Sequence, residues 1–428
     1  MSSSHWLRRP VLLPGRPSEA GALYMRLAAL GGFANAAGLV LYAYYAVRVA
    51  GLSPLELVLA GTALEASAFL FEIPTGVVAD LVSRRLSVIL GYLLIGAGFV
   101  LMGAAPEFWA VAGGQFVWGL GFTFISGARE AWLADEVGEE VAAPLYPAFA
   151  RRRQIGSLAG GFAGVGIAWW WTAGGTLLVG GALYLAAGVY LLFTMTEHGF
   201  VPAPRVDRAT WRTPLRQAAE GLRVARSMPV VVTALLTALL MGASSESFDR
   251  LWGFHLIQSF GLPDVMSETL FFGLVQLGGQ LGAIAALRVA QSRTDFRRPG
   301  SVAVGLLTSN VVVVAAMCLF AGAPVFAVAL VGAWVTFWAR AVEEPFATAW
   351  VNRGLPSATR ATVLSTMGQA NALGQAAGGP LFGLLASLAG VRVAIAVAAA
   401  VLVPAVALYW RHRGAAGDAA SEAAGAAT

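Results

Sequence analysis

The sequence holds one cysteine, four histidines and no lysine in 428 residues, and only 12% of it is charged. One thiol, Cys318, closes no intrachain disulfide and builds no multi-cysteine metal site; inside an apolar run it reads as a packing residue. Four histidines are too few for most metal or nucleophile constellations. A chain without lysine has no Gly-rich phosphate loop ending in Lys, so an ATP-driven pump is not expected. No catalytic residues, cofactor or metal site are therefore assigned. The low charge excludes more. Soluble domains carry about 25% charged residues, twice the fraction here, while 58% of this chain is hydrophobic and its mean hydropathy is +0.71. That balance excludes both an ordinary soluble fold and a disordered chain. It leaves an all-α integral membrane protein.

What is present is a series of long apolar runs. A helix needs roughly 20 apolar residues to cross the hydrocarbon core. Runs of that length occur between Arg26 and Arg48, and over Pro54–Leu81, Leu86–Pro106, Phe108–Ala128, Pro229–Phe260, Glu268–Ala290, Ala361–Leu388 and Val391–Trp410. Two further runs, Gln154–Thr196 and Pro299–Ala339, are twice too long and break at Trp169–Gly175 and Ala321–Pro324. The count is twelve transmembrane helices. The first run is long and follows Arg8, Arg9 and Arg16, so it reads as a retained helix and not as a cleaved signal peptide.

Arginine placement supports that count. The two terminal segments and alternate loops together carry 23 of the 28 arginines, as the excess of basic residues in cytoplasmic loops predicts. Both termini are then cytoplasmic. The net charge of +5 is explained by this topology, and no nucleic-acid partner is expected. The expected organisation is a cytoplasmic segment 1–20, six helices in 21–196, a linker in 197–228, six helices in 229–412, and a disordered tail 413–428. Within the linker, Leu215, Ala218, Leu222 and Ala225 share one face of a helix opened by Pro214, flanked by Arg212, Arg216, Arg223 and Arg226. It is expected to lie on the membrane surface. The halves repeat: Trp132 and Gly156-x-x-x-Gly160-Gly161 recur 218 residues on as Trp350 and Gly374-x-x-x-Gly378-Gly379, with Asp135 set against Arg353. Parallel six-helix repeats are a recurrent architecture.

The loop after the second run reads Gly76-x-x-x-Asp80-x-x-x-Arg84-Arg85. With twelve spans in two halves, it resembles the signature loop of the major facilitator superfamily (MFS), over residues 20–412. The resemblance implies a secondary transporter of two pseudo-symmetric six-helix bundles, similar to drug and multidrug efflux carriers. It implies that Gly76, Asp80, Arg84 and Arg85 form a cytoplasmic latch, closing on the start of the eleventh helix near Pro356 and Ser357. It also implies that helices one, four, seven and ten line the cavity. Two departures stand out. The antiporter pattern on helix five reads Gly156-x-x-x-Gly160-Gly161-x-x-Gly164-Val165, without its proline and last glycine. Helix four reads Gln115-x-x-x-Gly119 where many proton-coupled exporters of the family carry Arg.

Ionisable groups inside spans are candidates by default, because hydrocarbon does not solvate charge. Glu65, near mid-membrane, is a candidate for proton coupling or cation recognition. Glu72, seven residues on and on the same face, reads as structural. Glu246 and Arg250, four apart, can pair, leaving Asp249 or Glu246 as surplus. Arg340, Glu343 and Glu344 repeat the pairing within one helix, and Arg129 with Glu130 does so at the end of helix four. Together with Asp135 and Arg353 they read as gate networks. Asn35, Tyr42 and Trp252 are substrate candidates. With Tyr44, Tyr45, Phe122, Phe124, Phe248, Trp334 and Trp338 they predict an aromatic cavity with few charges, suited to a hydrophobic or amphipathic molecule. The expected partners are a small-molecule substrate, protons and the lipid bilayer, in a monomer of the bacterial inner membrane. Import or facilitated passage of a small metabolite is the alternative to export. A receptor or scaffold is third, since a protein that does not cycle has no use for a latch.

Overall fold

Five of the apolar runs begin behind a small hydroxyl residue, and there the helices start. Ser18, Ser53, Ser83, Thr172 and Ser267 each accept a hydrogen bond from a first-turn N–H, and Ser53 completes a capping box with Glu56. These side chains satisfy amides that a first turn leaves free. The computed structural model describes residues 18–202, 229–296, 298–353 and 357–412. Twelve long helices run through them: α1 (Glu19–Val49), α2 (Pro54–Leu81), α3 (Arg84–Ala104), α4 (Phe108–Val137), α5 (Leu145–Trp170), α6 (Ala173–Thr194), α7 (Pro229–Phe260), α8 (Glu268–Arg293), α9 (Pro299–Gly322), α10 (Phe326–Arg353), α11 (Ser357–Ala389) and α12 (Val391–Arg411). Eleven are long and apolar enough to cross a membrane. The other, α5, has the length but is diluted by glycine and by Arg151–Arg153.

The helix exteriors are apolar: Phe69, Phe162, Phe193, Leu381 and Leu388 are all more than half exposed. The chain is a multi-pass membrane protein. Cys318, expected to pack, is also exposed. Successive helices alternate direction, so one end of the bundle carries Asp80 and the other Arg48. These are called the Asp80 end and the Arg48 end.

Boundaries differ from the sequence reading on α4, α5 and α10, the last of which runs on past Ala339 to Arg353. After Ile125, α4 breaks at Gly127 (φ +72°) and resumes as Ala128–Val137, so Arg129 and Glu130 sit beyond a kink. A positive φ there suits a residue without Cβ. Helix α5 starts at Leu145, well before Gln154, and carries the exposed Arg151–Arg153 within it. The linker helix expected at 214–226, the segment 1–17 and the tail 413–428 lie outside the described residues.

Glycine ladders set the closest packing. Gly156, Gly160 and Gly164 of α5 face the backbone of Ala29, Phe33 and Ala37 on α1. Gly374 and Gly378 of α11 meet Leu239 and Ala243 of α7 in the same way. Small residues every fourth position let backbones approach without a side chain between them. The altered antiporter pattern on α5 is therefore a packing surface.

Candidate functional site

One turn of α7 places Glu246 and Arg250 on the same face, and Arg250 Nε donates to Glu246 Oε1 at 2.8 Å. Glu246 is buried. The guanidinium lies against Gly61 of α2, where any side chain would collide with it. A buried charge persists only with its partner, so the pair and the glycine form one unit. Around it stand Tyr42 of α1 and Gln115 of α4. Tyr42 Oη faces the Gln115 amide in a geometry that closes no hydrogen bond, and both groups are buried without a partner among the described residues. Glu65, half-buried, lies within electrostatic reach of Glu246, Arg250 and Asp249. Among the described residues it has neither an ion-pair nor a hydrogen-bond partner. The surplus carboxylate is therefore Glu65. Glu72 accepts from Ser126 Oγ at 3.3 Å.

A cavity of about 730 Å³ opens between α7, α10, α11 and α12, in the half of the molecule toward the Asp80 end. Its wall corrects two expectations. Arg340 does not pair within α10. Its two terminal nitrogens donate to the two oxygens of Asp249 on α7, at 2.6 and 2.9 Å. A planar guanidinium opposite a carboxylate favours this fork, and Glu343 and Glu344 are left without an ion-pair partner among the described residues. Nor is the lining aromatic. Besides Phe337 and Tyr409 it mixes charged, amide and small side chains, Asn371 and Gln375 among them, with the aliphatic Met241, Leu364 and Met367. Several of the expected aromatics are used in packing, while Phe122 is more than half exposed. Phe248 is buried against Phe320 and Phe337, and Trp252 stacks on Phe272. Trp334 and Trp338 donate to Val275 and Gly279 carbonyls of α8.

A second cavity of about 350 Å³ lies between α1, α5 and α8, with Asn35, Ser157, Gln276 and Gln280 in its wall. Phe337 lines both cavities. Asn35 was marked by its sequence position. Asn371, Gln375, Gln276 and Gln280 carry no charge that would mark them in the sequence, and Phe337 is one of many aromatic residues within spans.

The two ends differ. At the Arg48 end, Glu268 of α8 accepts from Arg48 (3.0 Å) and from Tyr44 (3.0 Å) of α1. Among the described residues these are the hydrogen-bonded contacts that join the first six helices to the last six. Apolar packing joins them nearby, where Gly379 and Gly383 of α11 meet Val58 and Thr62 of α2, and Gly273 of α8 meets Val165 of α5. At the Asp80 end the polar clusters stay within the first six helices. Asp80 lies 3.9 Å from Arg84, and Arg84 pairs with Asp135. Arg85 donates to the Met195 and Leu192 carbonyls. Arg129 pairs with Glu130 at 2.6 Å and covers the Phe149 ring. No neighbouring atom lies within 4 Å of where a side chain at Gly76 would begin. The Pro356 partner expected for Asp80, and the side chains of Ser357 and Arg353, lie outside the described residues.

Comparison with known proteins agrees with this architecture. The chain is 22% identical over 374 residues to YxaM of Bacillus subtilis (strain 168), described as an uncharacterized MFS-type transporter, covering 83% of this chain and 86% of the relative. Among solved structures, the nucleoside transporter NupG superposes with a TM-score of 0.71 at 15% identity, over 92% of this chain and 99% of that one. A bacterial homologue of the human lysosomal transporter Spinster, solved inward-facing and unoccupied, gives 0.70 at 16% identity, over 95% and 99%. The family profile matches residues 27–309, about two thirds of the chain, and the protein belongs to the Major Facilitator Superfamily, a family of transporters and not of enzymes.

Proposed function

We propose that this transporter is a monomer that works by alternating access, with 21–196 and 229–412 as two pseudo-symmetric six-helix bundles joined by 197–228. One observation carries the reading. Polar contact between the halves gathers on Glu268 at the Arg48 end, while the larger cavity lies toward the Asp80 end. A carrier open to one side has this form. By the placement of arginine, the Asp80 end faces the cytoplasm of a bacterial inner membrane. The described state is then inward-open.

Export coupled to inward proton flow is the reading we favour, with Glu65 as the proton carrier. It is the unpaired carboxylate beside the Glu246–Arg250 pair. The cargo is an amphipathic small molecule with a polar group, since the cavity wall is too charged for a purely apolar one. The test uses purified protein in unbuffered solution and the lipophilic cation tetraphenylphosphonium. Addition is expected to release protons from wild type and not from Glu65→Gln. Binding without proton movement in either protein overturns coupling through Glu65. It would favour the second reading, a facilitator or importer of a small metabolite, which Gln115 in the place of the relay arginine already supports.

A further inference from the structure

The two cavities touch through a single side chain. Phe337 of α10 lines both, and its ring is held edge-on by Phe248 and Trp252 of α7, at 5.3 Å each. A ring fixed on two sides divides the space as a partition.

The chemistry on its two sides differs. Toward α7, α10 and α11, Arg340 is neutralised by Asp249 through two hydrogen bonds. Glu343 and Glu344 then remain on that wall as carboxyl groups without an ion-pair partner among the described residues. Toward α1, α5 and α8 the wall has no ionisable side chain. It offers Asn35, Gln276 and Gln280, whose half-buried amides have no hydrogen-bond partner among the described residues. One side suits a cation. The other suits a neutral group that donates and accepts hydrogen bonds.

The distribution of these walls over the chain matters as much. A ligand confined to the larger cavity touches only the last six helices. Such a ligand meets the same surface however the halves are arranged, and a ligand shifts an equilibrium only by its differential affinity for the two states. One that reaches past Phe337 also touches Asn35 of α1 and Ser157 of α5. Its binding then depends on how the halves sit. This deepens the alternating-access reading and rests on it.

We propose that the two cavities are one bipartite substrate site, and that the substrate is an organic cation carrying a neutral hydrogen-bonding group at its far end. The ammonium sits by Glu343 and Glu344, the neutral group sits among Asn35, Gln276 and Gln280, and the apolar chain between them crosses the face of Phe337.

The experiment is isothermal titration of the full-length purified protein with three probes of matched length. They are 6-(trimethylammonio)hexanamide, which has both ends; hexyltrimethylammonium, which has the cation; and hexanamide, which has the amide. A fixed charge removes any titration of the probe. The two-ended probe is expected to bind roughly tenfold more tightly than either single-ended one, the value of one good polar contact. Glu343→Gln weakens both cations roughly tenfold and leaves hexanamide unchanged. Gln280→Leu removes the advantage of the two-ended probe and leaves hexyltrimethylammonium unchanged. Glu344→Gln and Gln276→Leu repeat each arm from an independent position, with melting temperature as the check on folding. Equal affinity for all three probes overturns the bipartite site, as do both substitutions weakening one probe alike, or wild type binding none. Alternating access is judged separately, by whether spin labels at the Arg48 end show two distance populations, open and closed, so the two failures are distinguishable.

Discussion

Arg250 binds two helices and one charge at once. It lies against Gly61 and holds Glu246 at 2.8 Å, with 2% of the Glu246 side chain exposed. Removing one partner strands the other, and an unpaired buried charge destabilises by about 3–5 kcal/mol. Arg250→Met is therefore expected to lower the denaturation midpoint strongly, and Glu246→Gln likewise. The double variant, which strands no charge, recovers most of the loss; additive single effects in a thermal-melt cycle would contradict this. Spacing made this pair legible in the sequence, because residues four apart on a helix meet. The partner of Arg340 was not legible. Its carboxylate, Asp249, comes from another helix, and spacing within α10 points to Glu343 and Glu344 instead. The aromatic residues mislead for a similar reason. Phe248, Trp334 and Trp338 sit on spans that do line the cavity, but which face each presents depends on packing partners such as Gly278 and Gly282 of α8, and these are remote in the sequence.

At the scale of the helix, glycine decides what can approach what. On α5, Gly160 faces the Phe33 backbone of α1 and Gly166, six residues on, faces nothing within 4 Å. Gly160→Leu is expected to cost about 1–3 kcal/mol through overpacking, seen as a lower melting temperature and less monodisperse protein. Gly166→Leu should behave as wild type and controls for added apolarity. Gly76 makes a different case. A leucine there meets open space in this state, so folding is kept. If the halves close over this face, the side chain obstructs them. Gly76→Leu should melt like wild type yet lose substrate exchange across reconstituted vesicles. The helices themselves were largely legible, since length and hydropathy fix where a chain crosses a bilayer. The missed boundaries fall where another constraint acts. Gly127 lets α4 restart after a kink, and Arg151–Arg153 look like a loop by charge alone while lying on a helix that runs past the apolar band.

For the whole molecule, the balance between states turns on how the Arg48 end is held. Glu268 takes both an ion pair from Arg48 and a hydrogen bond from Tyr44. The ion pair is partly exposed, with side chains at 33% and 43%, so its Coulombic share is screened and about 1 kcal/mol is the appropriate scale. Against an alternating equilibrium that is still roughly a fivefold change in the population ratio. Glu268→Ala is therefore expected to raise the share of molecules open at the Arg48 end by about that factor. Spin labels at Val49→Cys and Met266→Cys, both exposed beside the clasp, would report it as a growing long-distance peak, after the exposed Cys318 is replaced by serine. Salt at about 1 M shortens electrostatic range to about 3 Å and should move wild type part of the way in the same direction, but not Glu268→Ala, which has no pair left to screen. A distance distribution that is unchanged by the substitution would mean that apolar packing of α2 on α11 and of α5 on α8 closes this end alone, and the clasp would then be a consequence of closure and not a cause.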